Sequence, residues 1–185
     1  MKPLALAALL AFAASPALAE DCYPVRPAGG SVSFEVRQAG SPFRGAFRRF
    51  GGEVCLAGDR LSRIEVWLEP ASVDTGLPEI DTALRDKEFF ETARFPRIAF
   101  MGKSAEAVAA RQVARGTLEI KDRRREVEVV LELRRDGDAP AVSGSFTLNR
   151  LDYGIGTGEW SDTKWLGAEV KVDFNVKLAA VKAPK

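Results

Sequence analysis

The stretch EVKVDFNVKL, Glu169 to Leu178, alternates polar and apolar residues over ten positions without a break. The apolar members share one face of an extended strand: Val170, Val172, Phe174, Val176 and Leu178. Such a strand has one dry face and one wet face, which is typical of an antiparallel sheet. The stretch therefore predicts a strand whose apolar side faces a core.

The same period of two recurs along the chain. It appears in SVSFEVR (31–37), RIEVWLE (63–69), EVEVVLELRR (126–135) and SGSFTLNR (143–150). Turn signals rich in glycine and aspartate separate these runs, as at Gly51-Gly52 and Ala57-Gly58-Asp59. Many short strands joined by tight turns predict an all-β fold, either an antiparallel barrel or a sandwich, and we expect a barrel of about eight strands.

One segment lacks this alternation. PEIDTALRDKEFF, Pro78 to Phe90, carries Ile80 and Leu84 at rough helical spacing, and proline suits the first turn of a helix. We expect one short helix at the mouth of the barrel or across it.

The N-terminus has the features of a secretory signal peptide. Lys2 is followed by an apolar run from Leu4 to Ala14, and Ala17-Leu18-Ala19 forms a small-x-small cleavage site. We predict cleavage after Ala19, a single domain over residues 20–185, and a periplasmic or secreted product. No other apolar run is long enough to span a membrane, and a transient membrane contact and the oligomeric state are left open.

Charge and composition exclude several function classes. The 185 residues include 27 Lys and Arg against 26 Asp and Glu, so the basic excess expected of a nucleic-acid binder is missing. The chain has no histidine, the usual general base and the commonest ligand of transition metals. We therefore expect no enzyme, no metal and no cofactor. Cys22 and Cys55 most simply form a disulfide in an oxidising compartment, the alternative being a reactive thiol pair.

The segment NRLDYGIGTGEW, Asn149 to Trp160, raises the question of a phosphate loop. A dinucleotide loop needs G-x-G-x-x-G between a strand and a helix, whereas here G-x-G-x-G leads into the strand that ends at Leu178. We interpret the segment as a bent strand whose glycines make room for an apolar chain.

The aromatic residues predict either a solid core or the lining of a tunnel. A barrel of about eight strands can be filled by side chains or can hold one ligand. Glycines such as Gly45 and Gly144 reduce the side-chain volume that fills the interior, which favours the tunnel. The predicted lining consists of Phe34, Phe43, Phe47, Phe89, Phe90, Phe100, Phe146, Tyr153, Trp160, Trp165 and Phe174.

Five segments, in order and over almost the whole chain after residue 19, resemble the YceI-like family of secreted lipid-binding proteins. They are SVSFEVRQAGSPFRGAFRRFGG (31–52), SVDTGLPEIDTALRDKEFFETARFPRIAF (72–100), GTLEI (116–120), GSFTLNRLDYGIG (144–156) and WLGAEVKVDFNV (165–176). The resemblance implies an extended lipocalin-like barrel that carries a polyisoprenoid, an isoprenoid quinone or a related lipid, without metal or catalytic residues. The chain departs from the family at Ala83, where a histidine is usual.

A carrier of this kind needs polar groups for the ligand's head. We predict Arg150 for a diphosphate, with Asp152 as its partner; with a neutral quinone, Arg150 would instead belong to a structural ion pair. Two rival functions remain. One is a lipid isomerase or hydrolase using Tyr153, Asp152 or Glu159, and the other is a structural module with a solid core.

Overall fold

The computed structural model describes residues 20–108, 111–136 and 139–178, and the predicted signal peptide lies outside these ranges. The strands are β1 (Glu20–Gln38), β2 (Ser41–Phe47), β3 (Phe50–Ala57), β4 (Arg60–Leu68), β5 (Val73–Asp74), β6 (Ile98–Val108), β7 (Arg111–Ile120), β8 (Arg123–Asp136), β9 (Ala139–Asn149) and β10 (Leu166–Leu178). One α-helix, α1 (Pro78–Arg85), lies between β5 and β6.

Eight of the strands close into a barrel. Their order is β10-β9-β8-β7-β6-β4-β3-β1, and β1 pairs back onto β10, so the ring has no open edge. All these pairings are antiparallel. The remaining strands, β2 and β5, extend the sheet beyond β1. The predicted all-β barrel of about eight strands with one short helix is confirmed.

The alternating stretch from Glu169 to Leu178 supplies most of β10 and pairs with β9 on one side and β1 on the other. Its apolar face turns inward: Val176 and Leu178 are buried, while Glu169, Asn175 and Lys177 are exposed. Alternation therefore sets which side of the barrel wall each residue faces.

Strand β1 is longer than the sequence indicates. Its first part, from Glu20 to Val25, pairs with β3, whereas the part from Val32 to Gln38 pairs with β2. A register shift between Val25 and Gly30 separates these parts on the β10 side. No prediction was made for residues 20–30, and the structure shows that this segment belongs to the barrel wall.

The Cys22–Cys55 disulfide is confirmed, since the two residues face each other across β1 and β3. They are separated by 33 positions, and closing a loop of that length removes chain entropy worth about 3–4 kcal/mol from the unfolded state. We therefore expect the double variant Cys22→Ala with Cys55→Ala to lose about that much free energy of unfolding in urea titrations.

Wild-type protein titrated with a thiol reductant present is the matched control and should show the same loss. A loss below about 1 kcal/mol would mean that the β1–β3 ladder holds the N-terminal segment without the disulfide.

Candidate functional site

The barrel encloses two apolar cavities of about 250 Å³ and about 140 Å³. On this scale, a cavity of roughly 150 Å³ holds a molecule the size of benzene. The larger one lies on the side of α1, which contributes Ile80, Ala83 and Leu84 to its wall. The interior is therefore not the solid core that one of the rival interpretations required.

The two cavities meet at a ring of six shared side chains, which we call the waist. Its members come from strands all around the barrel: Val32, Leu68, Ile98, Leu118, Phe146 and Phe174. Because the same residues line both cavities, the two spaces follow one another along the barrel interior. Together they suit a long, thin apolar molecule better than a compact one.

The two ends of this interior differ in exposure. At the end with the smaller cavity, Leu56, Leu61 and Leu178 are no more than 2% exposed and form the floor of the interior. Around the larger cavity, the wall includes half-exposed residues such as Phe43, Gln38 and Leu84. The mouth of the site is therefore the end that carries α1 and the β1–β2 turn.

Nine of the eleven predicted aromatic residues lie on the cavity walls. These are Phe34, Phe43, Phe47, Phe89, Phe90, Phe100, Phe146, Trp160 and Phe174. Their rings pack against one another, with centroid distances of 5.6 Å for Phe34–Phe47 and 5.5 Å for Phe89–Trp160. Binding of a ligand by these residues stays a prediction.

The other two aromatic residues lie elsewhere. Trp165 is 66% exposed in the loop before β10, so its placement in the tunnel lining is wrong. Its position next to Leu166 explains this, because Leu166 is the inward residue of the pair. Tyr153 is buried in the core near the larger cavity but does not line it. Burial raises the pKa of its phenol.

Glycines opposite aromatic residues keep rings against the barrel wall. Gly45 faces Phe34 across β1 and β2, and a Cβ at Gly45 would lie 2.5 Å from Cζ of that ring. Gly144 faces Phe174 in the same way, at 2.8 Å. The rings of Phe34 and Phe174 thus occupy the space above these glycines. Because the rings lie against the barrel wall, they do not fill the centre of the interior.

Arg150 lies at the end of β9 with 1% of its surface exposed. Each of its five N–H groups donates to a backbone carbonyl. Nε donates to Gly167 (2.9 Å), Nη1 to Ile155 and Gly156 (both 2.8 Å), and Nη2 to Trp160 (2.7 Å) and Leu166 (2.6 Å). The guanidinium therefore ties the loop between β9 and β10 to the start of β10.

Within the described ranges, Arg150 makes no ion pair, and its predicted partner Asp152 is exposed. Burial without a compensating carboxylate lowers the pKa of the guanidinium from its ordinary value. The predicted structural ion pair is therefore wrong, because neutral carbonyls take the place of the carboxylate. The head-group role predicted for Arg150 and Asp152 stays untested, but no N–H of Arg150 is left to bind a ligand.

The segment from Asn149 to Trp160 is a loop and not the bent strand that we predicted. It contains one 3-10 turn at Arg150–Tyr153 and begins another at Gly158. Gly156 has a φ of 71°, and a Cβ there would overlap Nη1 of Arg150. This glycine makes room for a guanidinium, so the predicted role of making room for an apolar chain is wrong at this position.

Several wall residues were not among the predicted site residues. They are mostly aliphatic and include Val36, Ile120, Leu148 and Leu166. Alternation already placed residues such as Val36 and Leu148 on the inward faces, so that signal was present in the sequence. Gln38 continues the inward positions Val32, Phe34 and Val36, but we did not predict it as a wall residue because it is polar and stands beside a turn.

The closed eight-stranded ring with a helix at its mouth agrees with a comparison of the sequence with known families. The family model of the YceI-like domain matches residues 23–178. The chain belongs to this family. The match begins in β1 and ends with β10, so this YceI-like domain includes all eight strands of the ring.

Known proteins are similar to this one over most of the chain, in sequence or in fold. Protein YceI of Escherichia coli O157:H7 is 28% identical, over 92% of this chain and 83% of that protein. BcnA of Burkholderia cenocepacia has a TM-score of 0.80 at 25% identity, over 84% of this chain and 99% of BcnA. A polyisoprenoid binding domain from Saccharophagus degradans has a TM-score of 0.69 at 17% identity, over 86% of this chain and 98% of that domain.

The part of the chain that the structure describes contains the helix α1 and three short 3-10 helices. None of them has both the length and the apolar character needed to cross a bilayer.

Proposed function

We propose that this YceI-like domain is a periplasmic or secreted carrier that holds a long apolar lipid inside its barrel. The ligand class is a polyisoprenoid, an isoprenoid quinone or a related lipid. The observation that carries the proposal is the pair of apolar cavities that share the six wall residues of the waist. Burying each CH₂ group of a ligand there contributes about 0.8 kcal/mol, so a long chain provides affinity without many polar contacts.

Two further observations support this ligand and location. The Saccharophagus degradans domain, which shares the fold, is described as polyisoprenoid binding. The signal peptide predicted for residues 1–19 favours export, and the Cys22–Cys55 disulfide is compatible with an oxidising compartment.

The positions of the acidic and phenolic residues favour binding over catalysis. Of the groups considered for acid or base chemistry, Asp152 and Glu159 are exposed, and Tyr153 does not line either cavity. Among the cavity-lining residues, Arg150 is the one with an ionisable side chain, and its donors are all engaged. We therefore propose a binding protein and not an enzyme.

The test is organic extraction of the purified protein followed by mass spectrometry, together with uptake of an added polyprenyl lipid. We expect a lipid of polyisoprenoid type in the extract and saturable uptake. Val172→Glu places a charge in the larger cavity and should reduce uptake by at least tenfold, since a buried charge is costly.

Asn175→Glu is the matched control, since it places the same charge on the exposed face of the same strand. It should leave uptake unchanged. An empty extract together with no uptake by the wild-type protein would refute the carrier function, and chemical conversion of the added lipid would favour the enzyme.

A further inference from the structure

Three residues of the larger cavity wall carry side-chain nitrogen: Arg150, Trp160 and Gln38. Arg150 donates all its N–H groups to backbone carbonyls. Trp160 has one N–H and no acceptor, and its ring packs on Phe89. Gln38 is thus the wall residue whose side chain can both donate and accept a hydrogen bond.

The amide of Gln38 makes no hydrogen bond to the residues that the structure describes, although the residue is half-buried at the mouth. Gln112 shows the opposite situation at the closed end of the barrel. Its Oε1 accepts from the backbone N–H of Leu61 at 2.7 Å, and its Nε2 donates to the carbonyl of Asp59 at 2.8 Å. The amide of Gln112 holds the fold together, whereas that of Gln38 is available.

The charge of the cavity wall limits which head groups of a ligand can bind next to Gln38. A diphosphate held against Gln38 would lose part of its hydration at the half-buried mouth, and the one cation in the cavity wall has no N–H left for it. Such a loss is unfavourable. An uncharged oxygen needs one or two hydrogen bonds, which a single primary amide can supply.

We propose that Gln38 binds the polar end of the lipid, and that this end is an uncharged oxygen, either a hydroxyl or a carbonyl. The inference rests on the proposed carrier function and adds the class of head group. Nε2 would donate to the oxygen, and Oε1 would accept from a hydroxyl. The apolar chain would extend from Gln38 through the waist towards the floor.

The experiment compares three probes with the same C20 isoprenoid chain: geranylgeraniol, geranylgeranyl diphosphate and the corresponding hydrocarbon. Their affinities are measured by displacement of one fluorescent apolar probe. We expect the alcohol to bind at least about tenfold more tightly than the diphosphate. Gln38→Leu should weaken the alcohol about three- to tenfold, the value of one neutral hydrogen bond, and should not weaken the hydrocarbon.

Ser41→Leu is the matched control, because Ser41 faces Gln38 across the β1–β2 turn, is exposed and lies outside the cavity wall. It should leave all three affinities unchanged. Equal binding of alcohol and diphosphate would overturn the head-group class while leaving the carrier function intact.

Three other outcomes would also overturn the role of Gln38. One is an unchanged alcohol affinity in Gln38→Leu, and another is an equal loss for alcohol and hydrocarbon. The third is that Trp160→Phe abolishes the preference for the alcohol over the hydrocarbon, whereas Gln38→Leu retains that preference. Failure of all three probes to bind the wild-type protein would instead refute the carrier function on which the inference rests.

Discussion

Replacing Arg150 with methionine should lower the free energy of unfolding by about 5 kcal/mol or more. Methionine preserves much of the side-chain length but removes the guanidinium donors from five backbone carbonyls, three of them in fully buried contacts. Each unsatisfied buried acceptor costs about 1–3 kcal/mol, and relaxation of the loop recovers a part of this. Since whole domains have only about 5–15 kcal/mol, much of the variant would be unfolded.

Urea titration followed by tryptophan fluorescence measures this loss. Arg44→Met is the matched control: its side chain is 72% exposed and pairs with Glu35 at 2.7 Å, so the expected loss is below about 1 kcal/mol. Arg150→Lys should fall between the two variants, because lysine keeps the charge but has three donors. Equal losses in Arg150→Met and Arg44→Met would show that the carbonyl contacts add no net stability.

The strands could be predicted from the sequence where alternation is regular. The run from Val170 to Leu178 predicted both a strand and its inward face. With a period of two, only one of the two faces of the strand is apolar, and that face must pack on the core. The first part of β1 was missed. Pro24, Pro27 and the Gly29-Gly30 pair interrupt its pattern, so only pairing with β3 shows that the segment belongs to the sheet.

The role of Arg150 could not be read from the sequence. An arginine beside glycines suggests an anion site, and its actual partners are carbonyls contributed by a loop and by the start of β10. Every residue type carries a backbone carbonyl, so the sequence does not show which carbonyls will accept from Arg150. The glycines of this loop are explained by the guanidinium that they surround, as the close approach at Gly156 shows.

The open interior was predictable only in part. Aromatic residues on inward faces fit a solid core as well as a tunnel, and the choice between them depends on how the rings lie. Phe34 and Phe174 lie over glycines of neighbouring strands, which the pairing register creates. A sequence shows these glycines but not which ring each of them faces.

Narrowing the waist should limit the length of the ligand. Leu118 is 4% exposed on β7 and lines both cavities, so tryptophan at this position would place its indole between them. A short isoprenoid that fits the larger cavity should still bind. A longer chain should lose at least about a hundredfold in affinity, because each excluded CH₂ forfeits about 0.8 kcal/mol and an isoprene unit has five carbons. A series of polyprenyl alcohols of increasing length measures the cut-off.

The control for this series is Thr117→Trp, which adds the same indole at the neighbouring position. Thr117 faces the outside of the barrel, where its hydroxyl donates to Glu126. It should leave the length dependence of the wild-type protein unchanged. Overpacking at Leu118 lowers the free energy of unfolding by about 1–3 kcal/mol, so a second variant is needed in case the first folds poorly. Val32→Phe narrows the waist from β1 and should produce the same cut-off. If long chains bind both folded waist variants as tightly as the wild-type protein, the ligand does not pass through the waist, and only the larger cavity holds it.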